Sequence, residues 1–417
     1  MRKQLLTGAI ALSALTAGAQ VNDTVYVGAG YANQVWYSLE SDDQGSAPKA
    51  NWDLAFDVSG FGSTIYVNHS AGDTLWAYPL ADATGWSTVD ISGLSSWTPR
   101  WNADTSWTMG AMGRYADPSD ATDLDWGKYN MTTHIISGDS IYVIKVAGVG
   151  YKKLMIESLS GGSYSFKYAN IDGTDAQTAT LAKSAYTGKN FGYYSLSANA
   201  ALDREPASAS WDLLFGSYTR NLPSEYGVTG VLANNGVRIA KCVEVADVAT
   251  FTAYSTATFN TAINVIGYDW KTFNGTAYDI EDSTVFFVEP ANGDIWKVVF
   301  TGFGGSSTGA MMFSKEKLYT APPAGTTGVM AATPSVALYP NPASGSNVNL
   351  VYSFPAAVPA ASVTITDMTG KVILREGIQG GEGLQQHIIN TSSLVPGMYL
   401  VQVTGGNYTS MQQFIKQ

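Results

Sequence analysis

Three histidines, one cysteine and eleven tryptophans are the residues of this 417-residue chain best able to do chemistry. His69 lies in Tyr66-Val-Asn-His-Ser-Ala-Gly-Asp73 and His134 in Met131-Thr-Thr-His-Ile-Ile-Ser137. A Ser-His-Asp site needs a histidine oriented by a carboxylate and within reach of a nucleophile. Neither segment carries a nucleophile-elbow pattern, and His-Glu-x-x-His is absent. Cys242 sits in the apolar run Ile239-Ala-Lys-Cys-Val243, the setting of a buried, inert thiol. Asp117, Asp120, Asp123 and Asp125 could surround Ca²⁺, but their spacing is not that of an EF-hand, and a solvated acidic loop is expected. Trp86, Trp97, Trp101 and Trp107 cluster in one stretch with Met109, Met112 and Tyr115. Such a group suits either extra core or a soft aromatic platform for a sugar ring or a porphyrin. Trp97 and Trp101 are an even number apart, so on a strand they would share a face.

The elements that must hold these residues read as β. Only 14% of residues are charged and 45% are hydrophobic, with 43 Gly and 24 Tyr. The net charge is −11, too acidic for a nucleic-acid binder, and the chain is too apolar for disorder. One cysteine excludes an intrachain disulfide framework. Residues 1–20 have Arg2 and Lys3, an apolar run from Leu5, and an Ala17-Gly-Ala19 exit, and read as a signal peptide with no lipid-accepting cysteine after it. No later apolar stretch is long enough for a transmembrane helix.

Self-comparison divides the body in two. Tyr37-Ser-Leu39 precedes Trp52-Asp-Leu-Ala-Phe56, and Tyr194-Ser-Leu196 precedes Trp211-Asp-Leu-Leu-Phe215. Asp125-Trp126 and Asp269-Trp270 each stand 16 residues, counted from Trp, before an aromatic, Tyr142 or Phe286. Lys153 and Lys297 each follow that aromatic by 11. Gly161-Gly-Ser163 and Gly304-Gly-Ser306 come next, and Asn130 and Asn274 occupy matching offsets. The spacing implies two related units, and Ile141–Lys145 with Tyr151–Ile156, like Val285–Glu289 with Ile295–Phe300, predicts a hairpin in each. The repeated tryptophans are expected in the core, and Asp53 and Asp212 on backbone amides at strand starts.

These anchors resemble the HmuY-like exported proteins of Bacteroidetes, all-β proteins whose best-known members bind haem through pairs of His or Met side chains. The resemblance makes His69 and His134 the histidine candidates in the first unit, while Met109 and Met112, beside the clustered tryptophans, would suit a soft apolar pocket for a ligand. Founding members are single-unit lipoproteins, whereas this chain has two units, and the second has no histidine, only Met311 and Met312 as nearby soft ligands. A carbohydrate-binding or adhesion reading uses Trp97 and Trp101 instead. A surface hydrolase is a third reading, for which the sequence nominates no carboxylate pair.

After a Pro/Gly/Thr-rich linker at 319–334, six or seven short alternating runs fit a small Ig-like sandwich. Tyr339-Pro340-Asn341-Pro342, Asp367 with Gly370-Lys371-Val372, Leu394 with Gly397-Met398-Tyr399, and Lys416 follow in order. This module resembles the type A C-terminal sorting domain of the type IX secretion system. The resemblance implies the secretion machinery as partner, and delivery into the medium or onto the outer-membrane surface. The expected organisation is therefore all-β: signal peptide 1–20, β-domains 21–180 and 181–318, linker 319–334, and sorting domain 335–417.

Overall fold

In Asn33–Ser38, Val35 and Tyr37 enter one core while Trp36 between them enters another. A strand that buries both faces must lie inside a stack of sheets, and this alternation organises the body. The computed structural model describes residues 20–321, 336–354, 357–367, 371–406 and 408–417. The expected leader up to residue 19, linker residues 322–334 and Gly370 lie outside them. Strand is the dominant element throughout, as the composition predicts.

The body is a pair of sandwiches. One sheet runs, in spatial order, Val21–Tyr26, Ala310–Tyr319, Ile295–Phe303, Val285–Glu289, Arg238–Cys242. It covers a four-stranded sheet of Tyr226–Ala233, Leu213–Arg220, Asn33–Ser38 and Asp42–Pro48. Val35, Tyr37, Phe215, Trp270, Phe286 and Phe313 fill the space between. The second sandwich repeats this plan. Gln177–Ala182, Ser163–Asn170, Gly150–Ser160, Tyr142–Val146 and Thr74–Ala77 adjoin in that order. They cover Ala200–Leu202, Phe191–Ser195, Leu54–Asp57 and Ile65–Val67 around a core of Phe56, Trp126, Tyr142, Phe166 and Tyr194.

The two sandwiches do not follow the boundary expected at 180/181. Leu54–Asp57 pairs with Phe191–Ser195, and Leu213–Arg220 pairs with Asn33–Ser38, so strands from both sides meet in both small sheets. The sandwich made of 54–202 is contiguous and is inserted into a discontinuous one made of 21–48 and 213–319. Each Tyr-Ser-Leu strand is therefore paired to the Trp-Asp-Leu strand of the other sequence unit.

Two matched locks hold that exchange. Asp53 N–H donates to Tyr194 O at 2.9 Å, and the Asp53 carboxylate accepts from Leu196 N–H at 2.5 Å and Ser195 Oγ at 3.2 Å. Asp212 N–H donates to Tyr37 O at 2.8 Å and its carboxylate accepts from Leu39 N–H at 2.7 Å. The amide-binding role expected for both aspartates is met, on a partner far away in sequence. An asparagine completes each lock. Asn68 Nδ2 donates to the carbonyls of Lys49 and Trp52, and Asn234 Nδ2 to those of Ser208 and Trp211.

The expected hairpins form, with Tyr142 opposite Leu154 and Phe286 opposite Val298. Gly161 and Gly162, at φ 56° and 76°, make the two-residue turn into Ser163–Asn170, a conformation that favours glycine.

Residues 336–417 form a separate unit. One sheet holds Val336–Tyr339, Asn347–Phe354 and Gly383–Asn390; the other holds Val372–Ile378, Ala361–Asp367, Gly397–Gly405 and Tyr408–Lys416. Leu350, Tyr352, Val363, Ile365, Val401 and Phe414 pack between them. No described helix is long and apolar enough to cross a membrane.

Candidate functional site

The outward faces of the two small sheets are apolar and meet each other. Trp36, Trp211, Leu214 and Leu232 come from the discontinuous sandwich, and Trp52, Ala55, Tyr66, Phe191 and Tyr193 from the inserted one. Trp107 packs against both groups and donates its indole N–H to Ala233 O at 2.8 Å. Arg204 ties the linkers that cross the seam. It donates to Gln34 Oε1 at 2.7 Å, Pro48 O at 3.0 Å and Asn51 Oδ1 at 3.1 Å, with Tyr193, Trp36 and Trp52 rings around its guanidinium. Aromatic faces and carbonyl acceptors of this kind hold a guanidinium in place.

Within the seam lies a cavity of about 90 Å³. Trp52 and Trp211 line it, at 6% and 3% exposure, and both indole N–H groups are buried without a protein acceptor. His69 lines it too, and its Nε2 is buried without a partner. His69 Nδ1 lies 2.9 Å from Asp73 O. A carbonyl can only accept, so Nδ1 carries the proton and Nε2 presents a lone pair. Burial pushes the imidazole pKa down to about 4, so it is neutral at physiological pH. Glu205 completes the wall. Burial pushes its carboxyl up to about 7, although Asn190 N–H, Phe191 N–H and Tyr193 OH all donate to it.

Asn190 and Trp211 also line a wider cleft of about 1160 Å³, whose walls come from both sandwiches. Its charged residues already have partners: Lys183 donates to Ser59, Gly60 and Gly62 carbonyls, Lys189 pairs with Asp203, and Glu40 with Lys317. Much of the remaining lining is amide and hydroxyl, including Gln44, Asn235, Asn292, Ser184 and Thr187.

Of the six residues nominated as ligand contacts, His69 alone lines the cavity. Met112 is fully buried in the inserted sandwich's core, and its backbone bridges to Ile65. Met109 is partly exposed. His134 stands at an exposed turn with φ 57°, 2.5 Å from Tyr129 OH. Trp97 and Trp101 do not share a strand face, because residues 97–101 form no strand. Trp97 packs edge-on to Tyr78 at 5.5 Å, and Trp101 lies against the His69 ring at 4.6 Å. The loop from 78 to 126 carries the unit-specific tryptophans inward, so they supply packing and one wall of the seam. The acidic segment is folded on itself: Asp117 and Asp120 accept from Ser119 and Thr122, while Asp125 pairs with Arg100.

A haem group does not fit these residues. The cavity holding His69 is far below the roughly 300–1,000 Å³ of ordinary small-molecule sites, and the second nominated histidine is not beside it. No cluster of three or more His, Cys, Asp or Glu able to hold a metal ion occurs among the described residues. Arg204, Glu205, Asn68 and Asn234 escaped sequence reading. The asparagines follow their tryptophans by 16 and 23 residues, unequal spacings that hide the correspondence.

In the terminal unit, Asn341 holds the last strand through Nδ2 to Gln413 O and Ile415 N–H to Oδ1. Tyr399 is buried and donates to Val395 O, whereas Tyr339 is exposed. Lys416 Nζ donates to Gly345 O, and Lys371 N–H to Asp367 Oδ1. Gly397 opens the strand on which Tyr399 lies.

No curated protein matches the chain. Among solved structures it is similar to dimeric latent PorU from Porphyromonas gingivalis, at 10% identity and a TM-score of 0.18. That match covers 85% of this chain and 31% of the other, so the chain spans about a third of that protein's length, and a score so low carries no argument. The terminal unit is different: residues 337–417 match the secretion system C-terminal sorting domain family, and the chain ends in a type IX sorting domain.

Proposed function

We propose that this is an exported, non-enzymatic binding protein, carried by the type IX route to the cell surface or the medium, with the seam between its sandwiches as the ligand site. The sorting domain at 337–417 is the observation that carries the export reading. It follows that deleting 335–417 traps the protein in the periplasm. Surface delivery of the truncated protein at the normal level would overturn the reading.

The body is read as a duplicated unit that has exchanged its first three strands. Its support is the equal strand order of the two sandwiches and the paired Asp53/Asn68 and Asp212/Asn234 locks. The HmuY-like resemblance rests on the sequence anchors, and haem capture is not carried over with it, because the seam does not accommodate the macrocycle. Adhesion through Trp97 and Trp101 is likewise weakened by their inward packing. A binding role favours the seam, which has a small aromatic-lined cavity and a wider polar cleft.

A further inference from the structure

We infer that Asp53 and Asp73 share a single proton, and that losing it in alkaline medium loosens the Asp53 lock while the matching Asp212 lock holds. This pH-sensitive latch does not depend on any ligand in the seam.

The first lock brings two acids together. Asp53 and Asp73 are 6% and 2% exposed, and their side chains hydrogen-bond each other. An ionised carboxylate only accepts, so a bond between two of them requires a proton on one. The other contacts assign it. The Asp53 carboxylate already accepts from Leu196 N–H and Ser195 Oγ. Asp73 Oδ1 takes Ala147 N–H at 2.8 Å, but its Oδ2 is buried and meets no donor among the described residues. Asp73 therefore carries the proton and Asp53 accepts it. Burial, and after it the Asp53 charge, push the Asp73 carboxyl up to about 8, against the pull of Ala147 N–H.

The charged and titratable groups around the pair are committed elsewhere. His69 is neutral and gives its Nδ1 proton to Asp73 O. Tyr168 donates to Asn199 Oδ1 at 2.8 Å, and burial keeps its phenol un-ionised. On the hairpin that supplies Ala147, Lys145 is exposed and Lys152 pairs with Asp175 at 2.7 Å. On the linkers, Lys49 is moved down by burial alone, and Arg204 donates to Gln34, Pro48 and Asn51.

The second lock balances its acids with lysines. The registers Tyr142–Leu154–Tyr168 and Phe286–Val298–Lys315 match, so Lys315 stands where the first lock has Tyr168. Lys315 Nζ donates to Leu39 O at 2.9 Å, on the same residue whose N–H Asp212 accepts. Burial lifts the Asp212 carboxyl too, but Leu39 N–H and the Lys315 charge oppose it. The neighbouring Asp294 pairs with Lys317 at 3.2 Å. Ionising both acids of the first lock instead leaves two like charges buried together, and Asp53 gives up Leu196 N–H as they separate.

The test is hydrogen–deuterium exchange of the full-length mature protein from about pH 6 to about pH 9, in peptides covering Leu196 and Leu39 and corrected for the intrinsic base-catalysed rate. Protection at Leu196 should fall at least about tenfold across that range, while protection at Leu39 stays within about twofold. Asp73→Asn, whose amide donates to Asp53 at every pH, should abolish the fall at Leu196. It should also remove part of the infrared C=O signal of un-ionised carboxylic acid seen at neutral pH. Parallel loss of protection at both amides, or none at either, overturns the inference, and this comparison needs no variant. So does a fall at Leu196 that survives in Asp73→Asn, or an unchanged carboxylic-acid signal in that variant.

Discussion

Cutting the chain between the two sequence units should destroy both sandwiches, whereas cutting around the inserted one should leave it folded. A fragment of residues 21–180 keeps Leu54–Asp57 but loses its partner strand Phe191–Ser195, along with Leu181, Tyr186, Tyr194 and Leu196 from the inserted core. At roughly 1.5–3 kcal/mol per large apolar side chain, those four account for about 6–12 kcal/mol. A whole domain commonly has about 5–15 kcal/mol of stability, so little or nothing remains. Val21–Pro48 in that fragment also lacks Leu213–Arg220 and Ala310–Tyr319, its only sheet neighbours across the described contacts. A fragment of residues 50–205 retains every strand of the inserted sandwich. It exposes the Trp52, Tyr66, Phe191 and Tyr193 face normally covered in the seam, so it should bind a hydrophobic dye while still unfolding cooperatively. Urea titration followed by far- and near-UV circular dichroism measures both fragments. A cooperative transition for 21–180 and none for 50–205 would refute the strand exchange.

Three further outcomes follow from the same contacts. Asp212→Ala removes the acceptor for the Leu39 amide and should cost about 1.5–3 kcal/mol, read from the urea midpoint, with the Asp53 lock unaffected. Burial and the neighbouring Asp53 carboxylate push the Asp73 carboxyl up to about 8. Because that folded-state value lies above the unfolded one, the group's contribution is full below about pH 4 and is lost as pH rises to about 8. Asp73→Asn retains an acceptor for Ala147 N–H, so its stability should fall less than wild type between those limits; identical slopes would refute the assignment. Gly138→Ala places a Cβ 1.7 Å from Ile156 O and should cost at least 2 kcal/mol or prevent folding, whereas Gly148→Ala meets no atom within 4 Å and pays only for its positive φ.

The Trp-Asp-Leu-x-Phe and Tyr-Ser-Leu segments were readable because both carry the two-residue alternation of a strand, and because they recur. The hairpins around Ala147–Gly150 and Asn292-Gly293 were readable for a similar reason: apolar runs broken by glycine have few other folds. The shared strand face proposed for Trp97 and Trp101 was not, since even spacing matters only where the backbone is extended, and residues 97–101 are not strand. Glu205 and Arg204 give no pattern at all; an isolated acidic residue such as Glu205 reads as surface until the fold buries it.

The chain alone determined that it is β throughout, that its anchors come in pairs, and that its last 80 or so residues form a sorting module. Those properties depend on local alternation and on motif order, which the linear sequence records directly. Partner choice does not depend on them. A Tyr-Ser-Leu strand is equally compatible with either Trp-Asp-Leu strand, because the Asp carboxylate recognises backbone amides that every residue but proline supplies. Only the tertiary structure decided that the pairs cross, which buries Trp36, Trp52 and Trp211 in a common seam and brings Trp52 and Trp211 into the lining of the same cavity as His69.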